Sequence, residues 1–104
     1  MKIEKRDRDS KCKYIVWNDY ESQVIGSATL VNSERPVYLK EINVHRNRRG
    51  KGIGSRLLKR IVSDFEDCEI VAEVFDSRLE WYRRHGFDEE EELEQLVKVR
   101  RDPQ

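Results

Sequence analysis

Two hydrophobic periodicities divide the chain near residue 45. Ahead of this position, short runs of β-branched and aromatic residues predict three strands, at 14–17, 24–31 and 37–44. Beyond it, apolar residues recur at helical spacing from Ile53 to Phe65, and charged residues take the opposite face. The pattern therefore predicts a sheet followed by an amphipathic helix.

The rest of the chain alternates between the two periodicities. Residues 70–75 predict a strand that is buried on at least one side. A capping-box pattern and Gly86, placed to close a helix in the left-handed conformation, frame a short helix over 78–85. The acidic run 88–92 precedes a final predicted strand, 93–99. The order is β-β-β-α-β-α-β, which indicates an α/β (α+β) domain with a mixed sheet.

The ends of the chain carry little hydrophobic signal. Residues 1–11 are almost all charged or polar, so they are either a frayed lead-in or a short edge strand. We divide the chain into a charged lead-in (1–11), one domain (12–100) and a short tail (101–104), because 104 residues fit a single domain.

Composition excludes several classes of protein. Lys and Arg number 21 and Asp and Glu also 21, and this zero net charge argues against a dedicated nucleic-acid binder. No apolar run approaches the roughly 20 residues that span a bilayer, so we expect no membrane segment. Cys12 and Cys68 match no metal-site spacing. We expect no metal site, and buried free thiols in a protein of the reducing cytoplasm.

The segment 44–58 has the features of an anion site. A strand ends, glycines follow at three alternate positions among Arg and Lys residues, and a helix begins. Backbone N–H groups can converge on an anion at such a turn, and the helix start adds positive charge. A P-loop would need glycine where His45 stands, and the dinucleotide fingerprint would need it where Ser55 stands. A tight turn with a solvated basic surface is the alternative without a ligand.

Two motifs make the chain similar to the GNAT superfamily of N-acetyltransferases. The first motif falls on Arg49, Gly52 and Gly54. It consists of Arg or Gln, any two residues, Gly, any one residue, and then Gly or Ala. The second motif falls on residues 81–87. It consists of an aromatic residue, Tyr, any three residues, and then Gly-Phe. The resemblance covers about residues 12–100 and implies an acyl-CoA N-acyltransferase-like fold. Family members usually have a first strand and two helices ahead of this region, and we expect these to be lacking here.

The resemblance implies that the chain uses acetyl-CoA as acyl donor. The backbone of Ile42, Asn43 and Val44 would pair with the pantetheine arm, and this strand and the next would splay apart to admit the thioester. The pyrophosphate would lie on the glycine turn, which comprises Arg49, Gly50, Lys51, Gly52, Ile53, Gly54 and Ser55.

Acetyl transfer to an amine needs a neutral nucleophile and is helped by protonation of the departing thiolate. Tyr82 is the expected general acid, because family members that use a tyrosine place it in this motif; the alternative is an aromatic that packs under the coenzyme. Glu73 is the expected base, since an ionisable group within an apolar strand needs a reason; a solvent-facing carboxylate is the alternative. Glu41 and Asp76 are reserve candidates for the base.

Other polar residues have simpler expectations. We expect His45 and His85 to be surface residues. The acidic run 88–92 is expected to be a solvated loop, although it could attract a cationic amine.

The sequence supports two functions from different classes. The first is an N-acetyltransferase that moves acetyl from acetyl-CoA to a primary amine, of a small molecule or a protein, by direct attack. The second is a regulatory module that binds acetyl-CoA without transferring it. The lacking helices normally wall the acceptor site, so that side is either open or completed by a second chain in a homodimer. A nucleic-acid binder is a weaker third possibility, because no aromatics are interleaved with the basic residues.

Overall fold

Seven strands form one sheet in the computed structural model, which describes all residues 1–104. Two α-helices accompany them, and the elements in chain order are β1 (Lys2–Arg8), β2 (Lys11–Trp17), β3 (Val24–Val31), β4 (Val37–Val44), α1 (Ile53–Asp64), β5 (Ile70–Val74), α2 (Leu79–Arg83), β6 (Asp88–Glu92) and β7 (Val97–Arg101). Within the sheet the strands are arranged in the order β1-β2-β3-β4-β5-β7-β6.

The topology joins an antiparallel meander to a parallel crossover. Strands β1 to β4 pair antiparallel in chain order. The chain then crosses through α1, and β5 joins β4 in parallel. Strand β7 pairs antiparallel with both β5 and β6. This mixed α+β arrangement is the fold class that the sequence predicts.

Both helices cover the same face of the sheet. Leu57 of α1 and Tyr82 of α2 belong to one hydrophobic cluster with Ile70 of β5 and Val99 of β7. Side chains alternate along a strand, so Glu73, which is exposed, points to the opposite face. That opposite face has no helix over it, and we call it the helix-free face.

The observed order differs from the expected one by two strands, one at each edge of the sheet. Of the two alternatives for residues 1–11, the edge strand is observed, because β1 pairs with β2 over its whole length. The acidic run 88–92 is strand β6, so the expectation of a solvated loop is wrong. Both strands lack the apolar alternation on which prediction depends. Backbone pairing holds both strands, and β6 is also held by cross-strand ion pairs, such as Glu90 with Arg100 at 2.8 Å.

Element ends differ more modestly. Helix α2 is shorter than predicted and follows a 3-10 turn. The capping box expected from Ser77 and Glu80 does not form, since the N-cap residue is Arg78 and no side chain caps the helix. Gly86 adopts a φ of +87° and confirms the predicted left-handed end. The last strand is shifted from 93–99 to β7, because the chain turns between Leu93 and Leu96. Neither helix is long and apolar enough to cross a membrane.

The two cysteines are buried, unpaired thiols, which confirms that prediction. Burial raises the pKa of the Cys12 thiol to about 11 and also raises the pKa of Cys68. Both thiols are therefore protonated and unreactive near neutral pH.

Candidate active site

Strands β4 and β5 part soon after they meet. Their parallel pairing covers only Val37–Leu39 with Ile70–Ala72. Immediately afterwards β4 carries a bulge at Lys40, where the register with β3 shifts. The separation opens a cleft of about 690 Å³ between the two strands. The splayed strands implied by the family resemblance are therefore confirmed.

Eleven of the twelve residues that the sequence assigned to the site line this cleft. The exception is Lys51, which is exposed and lies outside it. The lining residues are Ile42, Asn43, Val44, Arg49, Gly50, Gly52, Ile53, Gly54, Ser55, Glu73 and Tyr82.

The glycine turn presents bare backbone to the cleft. Gly50 and Gly52 have φ angles of +82° and +77°, in the left-handed region that other residues rarely adopt. A Cβ added at either position would meet no atom within 4 Å, so the space beside them is open. Gly52 is also the N-cap of α1, where N–H groups lack intrahelical partners. The turn can therefore offer several backbone donors to one anion.

Unpaired positive charge surrounds the turn. No carboxylate occurs in the sequence between Glu41 and Asp64. Only one of the basic residues in that segment, Arg60, forms an ion pair, with Asp64 at 3.0 Å. Arg49 donates from Nε to the carbonyl of Val44 at 3.2 Å, which fixes its side chain beside the turn. The basic residues concerned are Arg46, Arg48, Arg49, Lys51, Arg56, Lys59 and Arg60.

Tyr82 reaches the cleft from the core. Its ring packs edge-to-face against Trp81 and Phe87, with centroid distances of 4.9 and 5.5 Å. The residue is only 6% exposed, and this burial raises the pKa of its phenol to about 12. The hydroxyl has no hydrogen-bond partner within the chain. It is not a fully buried unpaired atom, so part of its surface remains accessible. The phenol therefore stays protonated and free to donate into the cleft.

Glu73 reaches the cleft from the helix-free face. Its Oε2 accepts a hydrogen bond from the Tyr38 hydroxyl at 2.8 Å. The reserve Glu41 also lines the cleft and accepts from Thr29 Oγ1 at 3.3 Å. The other reserve, Asp76, does not line it. Of the candidate bases, Glu73 and Glu41 are thus the ones at the cleft.

The two histidines differ in environment. His45 is exposed, as expected, whereas His85 is half-buried, so that expectation is wrong for His85. The His85 ring packs on Trp81 at 5.0 Å, and its Nε2 lies 3.4 Å from Ser55 Oγ. Burial lowers the pKa of His85, and nearby Lys59 adds to the effect. No group of three or more His, Cys, Asp and Glu side chains is arranged to hold a metal ion.

The cleft also contains residues that sequence reasoning did not select. Arg48 and Arg78 add cations, and Phe75 and Leu96 add apolar surface. Arg48 could have been found as a further cation of the glycine turn. The other three lie just beyond strand ends or at a helix start, where no local pattern shows which side chains meet.

The comparisons with known proteins agree with this geometry. Residues 10–89 match the family model described as an acetyltransferase (GNAT) domain. Among curated protein sequences no significant match was found.

Solved structures of acetyltransferases share the fold. An acyl-CoA N-acyltransferase from Pseudomonas aeruginosa superposes with a TM-score of 0.77 at 22% identity, over 88% of this chain and 68% of its own. The PaiA N-acetyltransferase from Thermoplasma acidophilum, in complex with coenzyme A, superposes with a TM-score of 0.75 at 18% identity. The match covers 89% of this chain and 61% of the PaiA chain. Arabidopsis thaliana Naa50, in complex with the bisubstrate analogue CoA-Ac-MVNAL, superposes with a TM-score of 0.74 at 19% identity. The match covers 86% of this chain and 72% of the Naa50 chain.

The chain spans 61–72% of the length of these three structures. At such identities the superpositions establish the fold, whereas the family model covers more than half of the chain and establishes the family. With its splayed strands and cationic glycine turn, the chain belongs to the GNAT family of acetyltransferases.

Proposed function

We propose that the protein transfers an acetyl group from acetyl-CoA to a primary amine by direct attack. The observation that carries this proposal is the cleft between β4 and β5, which has bare glycine backbone and unpaired cations at one end. The occurrence of coenzyme A and a coenzyme A conjugate in two structures of the same fold supports the choice of donor.

The donor would be held by backbone and cations together. Its pyrophosphate would lie at the turn from Arg49 to Ser55, which combines exposed glycine backbone, the N-terminus of α1 and the side chain of Arg49. Beyond Leu39, β4 has no pairing with β5 on its cleft edge. Apart from the Val44 carbonyl, which accepts from Arg49 Nε, the backbone groups of 42–44 on that edge are therefore available to the amides of the pantetheine arm.

The acceptor must lose a proton before it attacks. An alkylammonium with a pKa of about 10.4 is only about 0.04% neutral at pH 7, so a base is needed to maintain the reactive form. Glu73 is exposed at the cleft and can accept this proton and release it to solvent. The amine nitrogen then bonds to the acetyl carbon, and the carbon–sulfur bond breaks.

Tyr82 would act on the departing sulfur. Its phenol, with a pKa of about 12, is a weaker acid than a thiol near 8.5. Complete proton transfer to the thiolate is therefore uphill, and the hydroxyl contributes by hydrogen-bonding to the sulfur as charge develops there. Tyr82 would therefore donate a hydrogen bond to the sulfur instead of transferring its proton as a general acid. The thiolate would take its proton from solvent.

Thiol release tests the proposal directly. Purified protein is incubated with acetyl-CoA and a pool of primary amines, free thiol is followed with a chromogenic reagent, and acetylated amine is identified by mass spectrometry. The buried cysteines add little background, because both thiols have raised pKa values. Calorimetry with acetyl-CoA alone measures binding separately.

The outcomes separate the two functions drawn from the sequence. Equal molar amounts of thiol and acetylated amine support a transferase. Tight acetyl-CoA binding with no acetylated amine in a broad pool supports a regulatory module instead. Absence of both binding and turnover contradicts the assignment of the glycine turn to pyrophosphate.

A further inference from the structure

The cleft opens onto the helix-free face through a second group of lining residues. We call Glu41, Glu73, Phe75 and Leu96 the acceptor mouth; all four line the cleft. Glu41 and Glu73 belong to the two splayed strands, whereas Phe75 and Leu96 flank the last paired residues of β5 and β7, Val74 and Val97. The mouth therefore combines two carboxylates with two apolar side chains.

The carboxylates of the mouth carry uncompensated negative charge. Each accepts one hydrogen bond from a neutral hydroxyl, of Tyr38 in one case and Thr29 in the other. Neither lies within ion-pair distance of a cation, so each retains acceptor capacity.

Other carboxylates near the same face are neutralised. Glu69 is paired with Arg100, and Glu90 is paired with both Arg100 and Lys98. Lys98 stands opposite Glu73 in the β5–β7 register but is held by Glu90 at 3.4 Å. Glu73 is thus left oriented and unpaired although a lysine is its register partner.

The apolar part of the mouth is exposed without a partner. Phe75 is 66% exposed, and among the large hydrophobic residues of the chain only Tyr20, at 89%, is more exposed. Leu96 is half-buried at the turn that enters β7. Exposed aromatic surface beside unpaired carboxylates fits a ligand that is both cationic and apolar.

We propose that the acceptor is a primary ammonium carried on an apolar or aromatic group. The ammonium lies between Glu41 and Glu73, and the apolar group packs on Phe75 and Leu96. The inference rests on the proposed transferase function and specifies its substrate class. A small alkylamine and a peptide amino terminus with an apolar first residue share this chemistry.

A matched series of amines tests the substrate class. Hexylamine, hexane-1,6-diamine and 6-aminohexanoate have the same chain and differ only in the far end. We expect kcat/KM for hexylamine to exceed that for each of the other two by about tenfold or more, because a charged end cannot pack on Phe75. Lys40 and Arg78 also line the cleft, so a preference for 6-aminohexanoate would show that they recruit a carboxylate and would overturn the proposal.

Peptides distinguish the two sources of the ammonium. Two peptides that differ only in a first Phe or Ser are compared with 2-phenylethylamine. Acetylation of the Phe peptide above both others identifies a peptide terminus, and a preference for 2-phenylethylamine identifies a small amine. A preference for the Ser peptide contradicts the apolar contact.

Variants of the mouth are compared with the same changes elsewhere. Phe75→Ala should lower kcat/KM for hexylamine about tenfold, whereas Tyr20→Ala removes an aromatic that is 89% exposed and outside the cleft. Glu41→Gln should raise KM for hexylamine about fivefold or more, whereas Glu34→Gln should change nothing. Equal effects of mouth and control variants would overturn the proposal.

A binding measurement keeps the inference independent of turnover. Saturation-transfer NMR detects hexylamine bound to the protein in the presence of coenzyme A. If no amine is acetylated but hexylamine binds and Phe75→Ala weakens binding, the transferase fails and the mouth stands. If amines are acetylated without preference for the apolar ones, the transferase stands and the mouth fails. Neither binding nor acetylation of hexylamine overturns both.

Discussion

The two ends of the cleft present charge by different structural means. The glycine turn is one continuous segment, in which bare backbone at Gly50 and Gly52 adjoins unpaired cations. The acceptor mouth gathers side chains from β4, β5 and the residues that flank β5 and β7, and its two carboxylates are oriented by hydroxyls of neighbouring strands rather than by their own segments. In the proposed reaction, donor binding would therefore depend on local backbone conformation, whereas acceptor choice would depend on individual side chains. We expect the two to be separable by mutation.

Tyr82 lines the same cleft, and its substitution should give the largest effect. In Tyr82→Phe the ring packing is kept and one hydroxyl is lost, so turnover should fall by about 10²–10³-fold, as when one donor to a developing anion is removed. Acetyl-CoA affinity should change little, because the hydroxyl acts mainly in the transition state. Steady-state kinetics and calorimetry measure the two quantities.

Tyr20→Phe is the matched control, because it removes the same hydroxyl from a residue that is 89% exposed and outside the cleft. Full activity of Tyr82→Phe would remove Tyr82 from the chemistry and leave the thiolate to depart without a donor.

The cationic end should respond next most strongly. Arg49→Glu replaces a cation beside the glycine turn with an anion, and a charged hydrogen bond is worth about 1.5–3 kcal/mol, so acetyl-CoA affinity should fall by about 10–100-fold or more. Arg46→Glu makes the same change in the same segment, outside the cleft. If calorimetry gives both variants the same affinity, the cations act only through their summed field and the pyrophosphate does not lie at Arg49.

The contrast between the two ends also explains what the sequence could predict. The glycine turn is local, so the order of strand, glycines, cations and helix in 44–58 is sufficient by itself to indicate an anion site. The main strands and α1 could also be predicted, because the periodicity of apolar residues indicates which positions are buried. Helix α1 begins at Ile53, the first residue of its predicted periodic pattern.

The sequence offered Glu73 and Glu41 as candidate bases, but the apolar half of the acceptor mouth could not be predicted, because it depends on register. Phe75 and Leu96 are neighbours only because Val74 pairs with Val97, and neither residue belongs to a motif. The edge strand β6 escaped prediction, and β1 was only one of two alternatives, for a related reason. Both strands are held by backbone pairing, and β6 also by charges on its partner strand, which no pattern within the strand itself reveals.

Burial of Tyr82 should also appear in the pH dependence of stability. Its pKa is raised from 10.0 to about 12 in the folded protein, so the folded state holds this proton more tightly than the unfolded state. The corresponding stability is fully present below pH 10 and is lost as pH rises toward 12. Between pH 10 and 11 this loss is about 1 kcal/mol, since one pKa unit corresponds to about 1.4 kcal/mol.

Denaturant unfolding of the wild type and Tyr82→Phe measures this loss. The variant should show a smaller decline in the free energy of unfolding over this pH range, and other tyrosines and cysteines contribute equally to both proteins. Parallel declines would mean that the Tyr82 hydroxyl is well solvated in the cleft.

The smallest effect should come from Glu90, which lies outside the cleft but controls a cation near the acceptor mouth. Glu90 holds Lys98 at 3.4 Å and Arg100 at 2.8 Å. In Glu90→Gln, Lys98 is released opposite Glu73, its register partner, and competes there with the substrate ammonium. An exposed pair is worth up to about 1 kcal/mol, so KM for the amine should rise about two- to fivefold while acetyl-CoA affinity stays unchanged. Glu92→Gln removes a carboxylate of the same strand that has no ion pair and should leave KM unchanged. Equal KM values for the two variants would show that Lys98 does not reach Glu73, and that the negative charge of the mouth does not depend on the edge strand.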